Sequence, residues 1–352
     1  MSTPARHPII EEDLRQIAAA DLPWAMLAGK TVLVTGANGF LPAYMVETLL
    51  FLNEQRAGPQ TQVIGLVRNR ARAEARFAAY RGRPDLRLLV QDVCEPVVLA
   101  EPVHFIIHAA SQASPKYYGR DPVGTLGPNV LGTHHLLSLA AAQHVEALLF
   151  FSSGEVYGQV APERIPTREQ DYGWLDPADV RSCYGESKRV GETMCVAWAQ
   201  QYGVPAKIVR PFHTYGPGMR LDDGRVFADF VADIVQGRDI VLKSDGSAIR
   251  AFCYLADATR GFFTVLLRGA AGQAYNIGSP EEISILDLAR LLVDSFPEKG
   301  LRVVRDAGVR PPGYLQSPVT RNCPDITKAR GLGWTPTTAV QAGFIRTVRS
   351  FL

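Results

Sequence analysis

Apolar residues in this chain fall into short, nearly unbroken runs, separated by longer stretches where they recur with helical spacing. The runs at 31–35, 62–67, 87–90, 104–108, 147–151 and 206–210 are rich in Val, Ile, Leu and Phe. That is the composition of strands buried on both faces. Between and after them, the patterns at 44–54, 130–143 and 187–202 predict helices. Alternation of the two predicts an α/β fold, a Rossmann-type doubly wound parallel sheet covered by helices.

Beyond Pro211 the pattern loosens into Gly- and Asp-rich loops. A helix near 227–236, a hairpin-like stretch over 240–255, a strand at 273–277 and a helix at 285–295 are expected there. This change divides the chain into an NAD(P)-binding domain over 29–211 and a smaller C-terminal α/β substrate-binding lobe over 212–352. Strand 273–277 is a candidate to return to the region between them. Residues 1–28 carry a helical pattern through Ile10, Leu14, Ile17 and Ala18, interrupted by Pro23. They read as an appended helix packing on the core, with no chemistry of its own.

Composition works mainly by exclusion. The 352 residues carry a net charge of only +2, which offers no footprint for nucleic acid or an acidic membrane. Five cysteines, odd in number and without CxxC spacing, argue against a disulfide framework or a metal site and for a reducing compartment. The N-terminus lacks the basic-then-apolar order of a signal peptide, and no apolar run reaches the roughly 18 residues of a spanning helix. A cytoplasmic location is the expectation.

The segment TVLVTGANGF (31–40) places Gly36, Asn38 and Gly39 between a strand and a helix. Glycines there let the backbone approach a pyrophosphate, and the helix start at Phe40 and Leu41 offers free N–H groups. Pro42 stands where a third glycine is usual. After the second strand, an acidic residue would normally accept from the adenosine ribose, but this chain has Arg68. A guanidinium cannot accept, and it suits a 2′-phosphate, so NADP is favoured. Asp92 and Val93 follow the third strand, where the carboxylate could take the adenine amino group. Ala109 and Ala110 follow the fourth, small enough to lie against the cofactor.

Tyr184 and Lys188 are four apart on a predicted helix and share one face. A phenol with an ordinary pKa near 10 is a poor base at neutral pH. A neighbouring ammonium and the positive nicotinamide ring would stabilise the phenolate. Ser153, at a strand end, can hydrogen-bond the same sugar hydroxyl. This set predicts proton transfer coupled to hydride transfer.

The segments HAASQASPKYY (108–118), PNVLGTHHLL (128–137), SSGEVYG (152–158), RSCYGESKRVGETM (181–194), GPGMRLDDGRVFADF (216–230), IRAFCYLAD (249–257) and YNIGSPEEISILDLA (275–289) carry a family resemblance. From residue 30 onward the chain resembles the extended short-chain dehydrogenase/reductases of the NAD-dependent epimerase/dehydratase family, most of all the UDP-glucuronate decarboxylases. The resemblance implies a nucleotide-sugar substrate oxidised at C4, loss of CO2 from the β-keto acid, and return of the hydride. It implies Tyr184 as base, Lys188 as its partner, Ser153 as hydroxyl helper, Glu155 as an active-site carboxylate, and Arg250 near the sugar. Arg225 and Arg321 would meet the diphosphate, with Ser111, Tyr118, His213 and Val226 completing the substrate set. The cofactor would be NAD and the assembly a homodimer built on helices 130–143 and 187–202.

Several positions depart from that pattern. Gly154 stands where decarboxylases often have serine and dehydratases aspartate. Gly124 replaces the lysine of the PVKT-like stretch, and His213 the asparagine before the Tyr215–Gly216–Pro217 turn. An NADPH-dependent 4-ketoreductase or a 4-epimerase needs only the Tyr, Lys and Ser machinery. A 4,6-dehydratase and a non-catalytic NAD(P) sensor complete the alternatives.

Overall fold

The computed structural model describes residues 5–306 and 319–352. In chain order its strands are β1 (Thr31–Thr35), β2 (Gln62–Val67), β3 (Leu86–Val90), β4 (Phe105–His108), β5 (Ala147–Phe151), β6 (Ala206–Pro211), β7 (His213–Tyr215), β8 (Ile240–Leu242), β9 (Ile249–Tyr254), β10 (Ala274–Ile277), β11 (Glu282–Ser284), β12 (Val303–Arg305) and β13 (Arg321–Asn322). The central sheet has the order β10-β6-β5-β4-β1-β2-β3, and every pairing in it is parallel.

The two-residue period of a strand sends neighbouring side chains to opposite faces. Val32 and Val34 of β1 accordingly join one apolar core, with Ala147, Leu149 and Phe151 of β5. Leu33 joins the other, with Leu148 and Phe150. Both faces are covered, which is why these strands read as unbroken apolar runs rather than alternating ones.

Strand order reverses between β1 and β4, the switch point at which open α/β sheets bind ligands beyond their carboxyl ends. The strand expected at 273–277 extends this same sheet, as β10 beside β6. The hairpin-like stretch over 240–255 is not a hairpin. Its two halves join different sheets: β8 pairs with β12, while β9 pairs with β7, β11 and β13. Between them Gly246, at φ +76°, lies so close to Leu286 that a Cβ would come within 2.8 Å of its side chain.

The helix Pro8–Ala18 packs on the helices Phe40–Gln55 and Leu255–Arg268. Its Asp13 is wholly buried and accepts from the hydroxyls of Tyr44 (3.0 Å) and Tyr254 (2.7 Å) and from Arg346 (2.6 Å). A buried carboxylate is tolerated only when its oxygens are satisfied in this way. The N-terminal segment is thereby fastened to residues far apart in sequence.

Candidate active site

Beyond the carboxyl ends of the central strands lies a cleft of about 710 Å³. Its first wall is the turn after β1. Gly36 has φ +64°, and a Cβ on it would come within 2.8 Å of the Ala110 backbone. Gly39 caps the helix Phe40–Gln55 without a side-chain acceptor, so the first N–H groups of that helix are free for an anion. A backbone-lined cradle at a helix N-terminus fits a dinucleotide pyrophosphate. Pro42 occupies the first helical turn, where its missing N–H costs nothing.

Gly36, Asn38, Gly39, Phe40, Leu41, Arg68, Asp92, Val93, Ala109 and Ala110 all line the cleft, so the structure brings the predicted cofactor set together. Two details are sharper than the sequence allowed. Asn69, beside Arg68, caps the helix Arg70–Arg76 by accepting from the Arg72 N–H. That helix turns Arg72 into the cleft as well. Asp92 is exposed, and one of its oxygens accepts from the Cys94 N–H at 2.9 Å.

The sequence gives no sign of the role His108 plays. Thr35 Oγ1 accepts from the N–H groups of Ala109 and Ala110, each at 3.2 Å. Its own proton therefore goes to His108 Nδ1, 2.9 Å away. That leaves Nε2 as the protonated nitrogen, donating toward Thr133 Oγ1 and the Pro128 carbonyl. Burial, with Lys188 nearby, pushes the imidazole down to about 3, so it stays neutral. This chain of bonds holds the end of β4 against the glycine turn.

The helix Cys183–Tyr202 carries the catalytic candidates. Lys188 is almost wholly buried, its Nζ donating to the Phe151 carbonyl at 2.6 Å and standing 5.7 Å from the centre of the Tyr184 ring. Burial holds Lys188 down to about 7, against the opposing pull of Glu192. Burial also pushes the Tyr184 phenol up to about 12, with a hydrogen bond from Ser153 and the charge of Arg225 pulling the other way. Tyr118 stacks on Tyr184 and spends its hydroxyl on the Ala113 carbonyl, 3.1 Å away. Asn129, also missed in the sequence, donates to Ser187 Oγ (2.9 Å) from a π-turn, Pro128–Gly132.

The rest of the wall joins residues that follow β4 and β5 to residues that follow β6. Ser111, Ser153, Glu155, His213, Arg225, Val226 and Arg250 all line the cleft. Glu155 faces Arg181 at 3.7 Å, a cation in the turn Val180–Ser182 just before the helix Cys183–Tyr202 that the sequence reading did not single out. Arg225 donates to the Ala113 carbonyl at 2.9 Å and pairs with Asp223. Arg250 donates to the carbonyls of Val319 and Thr320. His213 is held down to about 3 by burial between Arg250 and Arg225.

Arg321 does not line the cleft. It forms a bidentate pair with Glu282 at 2.7 and 2.8 Å, and its neighbour Asn322 faces the cleft instead. The period of two in β13 sends adjacent side chains to opposite sides, and Glu282 on β11 claims the arginine. Gly124 is also outside the cleft wall: its N–H caps onto Asp121, and a Cβ there would strike that carboxylate. A buried polar atom without a protein partner needs another one, water or ligand. Ser111 Oγ, Arg181 Nε, His213 Nδ1 and Asn322 Oδ1 are such atoms, and all four residues line the cleft.

A parallel sheet with its cleft at the switch point, a glycine cradle and a Tyr–Lys pair together define a dinucleotide-dependent enzyme of the short-chain dehydrogenase/reductase type. The chain belongs to the NAD dependent epimerase/dehydratase family, whose model matches residues 32–278. It is 34% identical over 314 residues to UDP-glucuronic acid decarboxylase 6 of Arabidopsis thaliana, covering 89% of this chain and 86% of that protein. UDP-glucuronic acid decarboxylase 1 of Xenopus tropicalis is 33% identical over 324 residues, 92% of this chain and 72% of its own. Among solved structures, a dTDP-glucose 4,6-dehydratase of Streptomyces venezuelae with NAD bound superposes with a TM-score of 0.75. Its identity is 28%, covering 91% of this chain and 96% of that one.

Proposed function

We propose that the protein modifies a nucleotide-sugar by transient oxidation at C4, and that its reaction is the decarboxylation of UDP-glucuronate. The observation that carries this reading is the convergence on one cleft of Tyr184, Lys188 and Ser153 with Glu155, Arg225 and Arg250. Bound NAD(P) supplies the hydride acceptor and, later, the donor.

The remaining work falls to the protein. Tyr184 takes the proton from the C4 hydroxyl, and Ser153 hydrogen-bonds the same oxygen. The buried Lys188 favours the phenolate electrostatically. Oxidation makes the C5 carboxylate β to a ketone, so its C–C bond breaks to release CO2 and leave an enolate, which is then protonated. Arg250 and Arg225 provide positive charge for the anionic parts of the substrate, and burial strengthens that attraction. Tyr184 gives its proton back to the C4 oxygen as the hydride that bound NAD(P)H would supply returns to C4, which closes the cycle.

A second reading, an NADPH-dependent nucleotide-sugar 4-ketoreductase, is favoured by Arg68 and Arg72 at the adenosine end of the cleft. Together they offer two cations for a 2′-phosphate. Incubation with UDP-glucuronate separates the readings. Release of CO2 without net cofactor reduction is expected for the decarboxylase. NADPH oxidation with a 4-keto-6-deoxy nucleotide-sugar, and no CO2 from UDP-glucuronate, would replace it with the ketoreductase.

A homodimer accords with this reading. Exposed apolar side chains sit along the helices that would form its bundle, with Leu131 at 52%, Val190 at 44%, Val196 at 44% and Tyr202 at 58%.

A further inference from the structure

Behind the catalytic helix lies a buried polar assembly that the chemistry above does not use. Glu192 is one helical turn beyond Lys188 and 8% exposed. Its Oε1 accepts from Ser152 Oγ at 2.5 Å and from Arg210 Nε at 2.8 Å, and its Oε2 accepts from Arg210 at 2.6 Å. Arg210, on β6, is 1% exposed. It donates further to the hydroxyls of Tyr157 and Tyr172, each at 2.8 Å, and to the Glu169 carbonyl at 2.7 Å. Tyr157 passes its own proton to Asn276 Oδ1 at 2.6 Å.

Two polar bonds, one turn apart on the same helix, thus grip the end of a single strand. Lys188 holds the carbonyl of Phe151, and Glu192 holds the side chain of Ser152. The next residue is Ser153. These two bonds restrain its placement relative to Tyr184, together with the Ser152 N–H that donates to the Val209 carbonyl at 2.8 Å, and Arg210 holds the carboxylate that makes one of them.

We propose that Glu192, locked by Arg210, is a positioning residue that fixes the Ser152–Ser153 strand end and supplies the negative charge facing the Lys188 ammonium. This rests on the reading of Tyr184, Lys188 and Ser153 as the reacting set. The charged and titratable groups around Lys188 are few. His108 faces it from β4 and stays neutral. Tyr184, Cys195 and Glu192 lie on its own helix, and both cysteine thiol and phenol are pushed up by burial. Glu192 is the anion among them, facing Ser152 from β5 and Arg210 from β6. Burial favours loss of the Lys188 proton, and Glu192 opposes that loss. A neutral lysine would leave the Tyr184 phenolate without its cation.

The test separates charge from placement. The Lys188 titration is followed by NMR of the 13Cε carbon in lysine-labelled protein, which requires no turnover. Glu192→Gln should move that midpoint to lower pH by about one pH unit. Glu192→Asp keeps the charge and should restore most of it. Ser152→Ala leaves the charge in place, so the midpoint should hold while kcat falls and KM changes little.

Glu192→Gln strands the buried Arg210 cation and can fail to fold for that reason. The double variant Glu192→Gln/Arg210→Met leaves no unpaired charge; because it removes a cation along with the anion, it reads placement alone, and its kcat should fall as in Ser152→Ala. A folded Glu192→Gln variant in which Lys188 titrates as in the parent, or a folded double variant with the parent kcat, overturns the proposal. So does a Ser152→Ala variant with unchanged kcat. Failure of the catalytic reading shows itself separately, as retained turnover in Tyr184→Phe.

Discussion

The ring of Tyr118 lies flat on the ring of Tyr184, with centroids 5.2 Å apart and planes 13° from parallel. The Tyr118 hydroxyl is engaged elsewhere, on the Ala113 carbonyl, so its contribution at Tyr184 is the ring face. An aromatic pair of this kind contributes about 0.5–1.5 kcal/mol. Tyr118→Leu should lower kcat by roughly 2- to 10-fold, while Tyr118→Phe should keep kcat near the parent value. Steady-state kinetics of the two variants decide the matter; equal losses would place the effect on the hydroxyl.

Acid sensitivity follows from two buried imidazoles. His108 and His213 are both held down to about 3, whereas the unfolded chain takes up these protons near pH 6.5. Between those limits the unfolded state binds more protons, so stability rises with pH and is lost on acidification below 6.5. At pH 5 each histidine should cost about 2 kcal/mol. Urea denaturation at pH 7 and pH 5 should show the loss, and His108→Gln should remove about half of this histidine-linked part. An unchanged pH dependence in that variant would count against a neutral His108.

Arg68 and Arg72, both in the cleft wall, are the cations on which a preference for NADP would rest. A charge-assisted hydrogen bond to a phosphate contributes about 1.5–3 kcal/mol. Arg68→Ala should therefore raise the Kd for NADP at least about tenfold and leave that for NAD nearly unchanged. Fluorescence titrations with both cofactors read the difference directly. Parallel weakening of both would assign Arg68 to the adenine and not to a 2′-phosphate.

Val190 and Val196 are both 44% exposed on the helix Cys183–Tyr202. Charges at these positions would be buried by a helical bundle between two copies, at a cost of several kcal/mol each. Val190→Glu/Val196→Glu should shift light scattering from the dimer mass to the monomer mass. A parent protein that is already monomeric would remove this surface from the reading.

The alternating fold was legible from β1 to β6 because burial on both faces leaves strands no polar positions to hide in. The glycine turn and the Tyr184–Lys188 spacing were legible for a related reason, since each needs particular residue types at fixed separations along one element. Arg321 shows the limit. In β13 the choice between facing the cleft and facing Glu282 is made by β11, which lies 39 residues earlier. The expected hairpin over 240–255 had the same weakness: nothing local says that β8 will find β12.

What the sequence by itself determined was the parallel sheet, the dinucleotide cradle and the phenol–ammonium pair, all written in local pattern. The tertiary structure decided which other groups surround that pair. It brought Arg181 to Glu155, Asn322 to the cleft wall, His108 to the glycine turn, and Glu192 with Arg210 to the strand end before Ser153. The physical reason is that buried polar groups must find partners wherever the fold places them, and those partners come from elements distant in the chain.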